Sequence, residues 1–138
     1  MKYIKIGIIL VFLLFAPHIH ARSIETAGEI KVEWLDLRSQ KYTCGDETLF
    51  WGCFVTPNTI WLDKSLTGLE LTYVWYHELG HYFLQDEDLS FFKDFANAKE
   101  SSATYFAMWL MGYKMLPEYT NFFLQVLMGK TQNQSNVK

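Results

Sequence analysis

Residues 77–81 read His77-Glu78-Leu79-Gly80-His81, an H-E-x-x-H arrangement. On a helix, positions i and i+4 stack two imidazoles on one face, where both can reach a single ion at about 2.0–2.1 Å. Glu78, one residue on, points just beside that face, near enough to hydrogen-bond a water on the ion without being a ligand. Zinc lowers the pKa of such a water toward about 7, and a neighbouring carboxylate then takes the proton. Because zinc has no redox state to offer, these residue types suit hydrolysis of an amide rather than electron transfer. His77 and His81 are therefore the candidate ligands and Glu78 the candidate general base.

The third ligand has few sources. Two of the four histidines, His18 and His20, lie in an N-terminal segment read below as a signal, which leaves only His77 and His81. The two cysteines, Cys44 and Cys53, read as a disulfide, so the ligand must be a carboxylate. Downstream stand Asp86, Glu87, Asp88, Asp94 and Glu100. Glu100 is the choice: the eighteen residues 82–99 allow a turn and a return path to the ion. Ala103 and Ala107, at i+3 and i+7 from it, are small enough to let two helices approach closely.

These side chains need elements to hold them. After Gly68, apolar positions recur at three- and four-residue steps through Leu69, Leu71, Val74, Trp75, Leu79, Tyr82 and Phe83, which predicts a helix over about 70–84. Gly80 inside it costs roughly 1 kcal/mol relative to Ala, and so asks for a packing reason. Asp86-Glu87-Asp88 is a polar break. A second helix is expected within 91–114, with Asn97 as N-cap three residues before Glu100, and a third from Pro117 to Met128. Upstream, Thr48–Phe50 and Cys53–Thr56 read as short strands pinned by the cysteines, Pro57-Asn58 as a turn and Thr59–Leu62 as a strand; Glu29–Leu37 is ambiguous between strand and helix. The expected fold class is α+β: a small antiparallel β-meander packed on an active-site helix and further helices.

Composition sets the frame. The chain has 138 residues, 50% of them hydrophobic and 17% aromatic, with 12 Lys+Arg against 15 Asp+Glu. Such an apolar content excludes a disordered chain, the length suits one domain, and a net charge of −3 provides no basic face for nucleic acid. Lys2 and Lys5 precede the apolar run Ile6–Ala16, followed by a short stretch ending in Ala21, the layout of a cleaved secretory signal. Eleven residues of helix span only about 16 Å, short of a hydrocarbon core of about 30 Å, although an uncleaved membrane anchor through residues 6–16 is the alternative. Cleavage leaves 117 residues with 10 basic against 15 acidic side chains. The implied units are a signal over 1–21, a flexible segment over 22–28, one domain over 29–128 and a frayed tail over 129–138. An exported chain meets an oxidising compartment, so Cys44 and Cys53 pair as a disulfide worth roughly 2–3 kcal/mol in the chain-entropy model.

His77–His81 with Glu100 resembles the gluzincin group of zinc metallopeptidases. The segment Lys99–Ala107 is also similar to the "E..A..FA" second helix of small ImmA/IrrE-like peptidase domains, and the resemblance covers about residues 59–111. It implies that His77, His81 and Glu100 bind Zn2+ and that Glu78 is the base. Ser102 departs from the acidic residue common there in the small family. Glu87 stands where metzincins place a third ligand, but Leu84 stands where they turn the chain with a glycine. The expectation is an exported zinc-dependent metallopeptidase acting on peptide or protein substrates, with the Ile60–Leu62 strand receiving the peptide. Tyr73, Tyr76, Tyr82, Tyr105 and Tyr113 offer phenols that could polarise a carbonyl, and the sequence does not choose among them. The competing expectation is a metal-stabilised, non-catalytic binding or regulatory module.

Overall fold

The structure, a computed structural model, describes residues 30–135. The expected signal and the segment that follows it lie outside the described residues. The elements run in the order β1 (Lys31–Leu35), a 3-10 turn (Leu37–Ser39), β2 (Gly52–Val55), β3 (Thr59–Asp63), α1 (Gly68–Leu84), a second 3-10 turn (Leu89–Phe92), α2 (Ala98–Leu110) and α3 (Pro117–Ser135). The class is α+β, as expected.

The sheet is not the expected antiparallel meander. Its order is β1-β3-β2, with β3 in the centre. β1 pairs parallel to β3, Val32 opposite Ile60 and Trp34 opposite Leu62, whereas β2 pairs antiparallel to it, Phe54 opposite Ile60. The long connection after β1 carries the chain past the centre to the far edge, and the hairpin at Pro57-Asn58 then returns it between the two outer strands. Hydrophobic alternation says which face of a strand is buried; it does not say which strand lies beside which.

Thr48–Phe50 forms no strand. Cys44 and Glu47 instead close on each other through paired backbone hydrogen bonds of 2.9 and 3.0 Å, around a turn in which Gly45 takes φ +58°. Phe50 is buried with Leu37 and Cys53 in a small cluster on the sheet face away from α1. The Cys44–Cys53 disulfide forms as expected, with the two Cα atoms 5.8 Å apart.

The central strand ends on a carboxylate that the sequence shows only as a strand terminator. Asp63 is 1% exposed, and its Oδ2 accepts the backbone N–H groups of Leu37 (2.8 Å) and Arg38 (3.3 Å). Its other oxygen takes the N–H and the hydroxyl of Ser65. Burial pushes the Asp63 pKa up, but the four hydrogen bonds outweigh it and hold the carboxyl below the usual range. One side chain thus ties the turn after β1 to the end of β3.

The helices cover the other face. α1 presents Trp75, Tyr76, Leu79 and Leu84 to a core that includes Ile60, Leu62, Phe92, Phe106 and Phe123. Burying each of these large side chains is worth about 1.5–3 kcal/mol, the main favourable term in holding the layers together. α2 starts where expected: Asn97 is its N-cap, its side-chain oxygen accepting the Glu100 N–H at 3.2 Å. α3 starts at Pro117, as expected, and its backbone continues to Ser135 rather than stopping at Met128.

Candidate metal centre

α1 carries His77, Glu78 and His81 as the spacing predicts, and α2 brings Glu100 to them. The reason is Gly80. A Cβ built on it would lie 2.8 Å from the Ala103 Cα and 3.1 Å from the Ala103 carbonyl oxygen. The two helices therefore touch backbone to backbone at this point, with Ala103 fully buried. Glu100, one turn before Ala103, is carried to the histidines by that crossing. The helix-weakening glycine has its packing reason.

Three ligand-capable side chains converge as a result. Among the described residues, His77, His81 and Glu100 are the group whose donor atoms all lie within 4.8 Å of one another. His77 Nε2 and His81 Nε2 are 3.2 Å apart. Glu100 presents one oxygen to each ring, Oε2 at 3.1 Å from His77 Nε2 and Oε1 at 3.2 Å from His81 Nε2. Ligands about 2.0–2.1 Å from a tetrahedral ion stand roughly 3.3 Å apart, so these separations fit a divalent cation held by two imidazoles and a carboxylate. Hydrogen bonds to His77 first, then to His81, hold the Glu100 carboxyl well below the usual carboxylate range. Asp88 is used elsewhere, its carboxylate accepting the Ser90 N–H at 2.9 Å, and neither it nor Glu87 belongs to the converging group.

A positioning contact escaped the sequence reading. Thr104, one turn after Glu100 on α2, has its hydroxyl 3.4 Å from His77 Nδ1. A hydroxyl accepting from Nδ1–H leaves the Nε2 lone pair free for an ion and fixes the ring plane. The i+4 spacing from Glu100 was a usable signal, but a threonine on a helix has many ordinary reasons to be there.

Glu78 is only 5% exposed and lies between the histidine-bearing face of α1 and strand β2. Burial pushes its carboxyl up to about 7; the charge of His77 and the backbone N–H of Phe54 pull down, while the charge of Glu100 pushes up. The contact with β2 is close: a Cβ on Gly52 would lie 2.6 Å from Val74 Cγ1 and 2.8 Å from Glu78 Oε1. Only glycine lets the strand sit there.

That strand also revises where a peptide would dock. β3, the expected acceptor, is the central strand with both edges paired, whereas β2 is the sheet edge beside Glu78. Trp51 O accepts from Asp63 N, so by antiparallel alternation Gly52 and Phe54 turn their backbone groups outward, away from β3. The tyrosines also separate. Tyr76 is buried, and burial pushes its phenol up. Tyr82 meets Phe54 and Phe83 edge-on, and Tyr105 stacks on Tyr119. Tyr113 lies beyond the end of α2, while Tyr73 is exposed with its ring centre 6.1 Å from that of His77.

The chain matches no protein-family model, no curated protein and no solved structure. Its site is therefore read from its own geometry. The disulfide suits an oxidising compartment, and among the described residues no helix is long and apolar enough to cross a membrane.

Proposed function

We infer that this protein is an exported zinc-dependent metallopeptidase with a gluzincin-type site. The observation that supports the reading is the convergence of His77, His81 and Glu100 at tetrahedral spacing with the buried carboxylate of Glu78 beside them. His77, His81 and Glu100 would hold the ion; two nitrogens and a carboxylate suit zinc. When bound, zinc supplies Lewis-acid polarisation of a carbonyl and an activated water. Glu78 is suited to accept a proton and pass it to a leaving amine, because a carboxyl poised near 7 exchanges protons readily at neutral pH. Thr104 keeps the His77 ring oriented. An extended peptide adds to the outer edge of β2, hydrogen-bonding the outward backbone groups of Gly52 and the carbonyl of Phe54, which brings its chain past Glu78.

The test is zinc content per chain followed by hydrolysis of a quenched-fluorescent peptide library by the purified protein. Activity is expected in the zinc-loaded chain, is abolished by a chelator, and falls by about 10²-fold or more in Glu78→Gln with zinc retained. Equal turnover in all three samples rejects the enzyme. A second reading, a metal-stabilised binding module, draws on the hydrogen bond from Phe54 N–H to Glu78, which gives that carboxylate a structural use as well. It predicts full zinc binding and no turnover in the wild type.

A further inference from the structure

We propose that the Cys44–Cys53 disulfide positions the base, so that the oxidised chain is the competent form, while the ion-binding side chains are independent of it. The proposal rests on the metallopeptidase reading above.

The site is built in two halves on different supports. The ligand half, His77, His81 and Glu100, belongs wholly to α1 and α2, locked together at Gly80 and Ala103. The base half depends on β2. Glu78 has Gly52 against its carboxylate and takes a hydrogen bond from the Phe54 N–H. Cys53 is the residue between those two. β2 has only four residues and is hydrogen-bonded to the sheet along one edge. Its side chains alternate, so Gly52 and Phe54 face α1 while Cys53 faces the second cluster with Leu37 and Phe50. There the bridge fastens it to Cys44, whose own turn is closed against Glu47. The strand is thus held between Glu78 on one face and the disulfide on the other. Opening the bridge releases the second hold without touching α1 or α2, and displacement of a catalytic group by about 1 Å is enough to cost up to about 10²-fold in rate.

The test compares the zinc-loaded wild type with a Cys44→Ser/Cys53→Ser double variant. The expected result is a fall of about tenfold or more in kcat, with KM and zinc content within about twofold of wild type. Amide exchange supplies a readout that does not need turnover: the Phe54 N–H is expected to lose protection in the double variant and in Glu78→Ala, which removes its acceptor, while α1 amides at Leu79 and His81 keep theirs. If the double variant folds poorly, a phosphine reductant applied to the folded wild type does the same job. It delivers two electrons to the S–S bond, yielding two thiols with protons from water, while phosphorus is oxidised to the phosphine oxide. Gly52→Ala, which pushes a methyl into the Glu78 carboxylate with the bridge intact, is expected to lower kcat likewise. Unchanged kcat and unchanged Phe54 protection in the bridge-free chain overturn the proposal. So does a uniform loss of zinc and of all amide protection, because the bridge would then support the whole fold. A zinc-loaded wild type without peptidase activity removes the enzyme reading, and the Phe54 amide still decides whether the bridge holds Glu78.

Discussion

The Thr104 hydroxyl, 3.4 Å from His77 Nδ1, is placed to fix the plane of that ring. Thr104→Val keeps the shape but removes the hydroxyl beside Nδ1. Zinc affinity is expected to fall by about tenfold or more, measured by competition with a chromophoric chelator, whereas Thr104→Ser retains it. Asp63 makes a prediction of a different kind. Its carboxyl lies below the unfolded value of 3.8, so its contribution is complete above about pH 4 and is lost as pH falls through the folded pKa. The wild-type melting temperature is therefore expected to drop as pH falls below about 4, and that of Asp63→Asn to drop less. Asp63→Ala leaves the Leu37, Arg38 and Ser65 N–H groups without their acceptor, for a loss of about 3 kcal/mol by denaturant titration.

At the level of elements, the crossing of α1 and α2 is the critical contact. On an isolated helix Gly80→Ala would stabilise by about 1 kcal/mol. Here the new methyl meets the Ala103 Cα at 2.8 Å, which is backbone and cannot rotate away. Overpacking wins: a net loss of about 1–3 kcal/mol is expected, together with weaker zinc binding as Glu100 moves off the histidines. Trimming Ala103 to Gly in the same chain should fail to restore either, because Cα and carbonyl oxygen remain. Restoration by that second change would mean the clash is with the Ala103 methyl alone.

For the whole molecule, an ion at this site would tie α1 to α2 and so stabilise the fold as well as its chemistry. A ligand that binds only the folded chain contributes about 2.7 kcal/mol at a hundred times its Kd. In a domain of this size that corresponds to a rise on the order of 10 °C or more in Tm. Calorimetry with zinc and with excess chelator checks it, and identical transitions would show that no ion is held by the folded state. The layer arrangement also explains why α1 matters twice. Its inner face, with Trp75, Tyr76 and Leu79, closes the core, while its outer edge bears the histidines.

What was legible in the chain is what depends on near neighbours along it. The i, i+4 pair His77 and His81, the Asn97 cap, the start of α3 at Pro117 and the Cys44–Cys53 pairing all follow from local geometry or from counting residue types. Glu100 was reachable because small residues follow it at helical spacing. Strand order was not legible: β3 in the centre, parallel to β1, is decided by which surfaces pack, and alternation along one strand is silent on its neighbours. The same holds for Gly52 against Glu78, Gly80 against Ala103, Thr104 on His77 and Asp63 across two turns. Each of these contacts joins residues 23 or more positions apart, and only the packed fold brings them within reach.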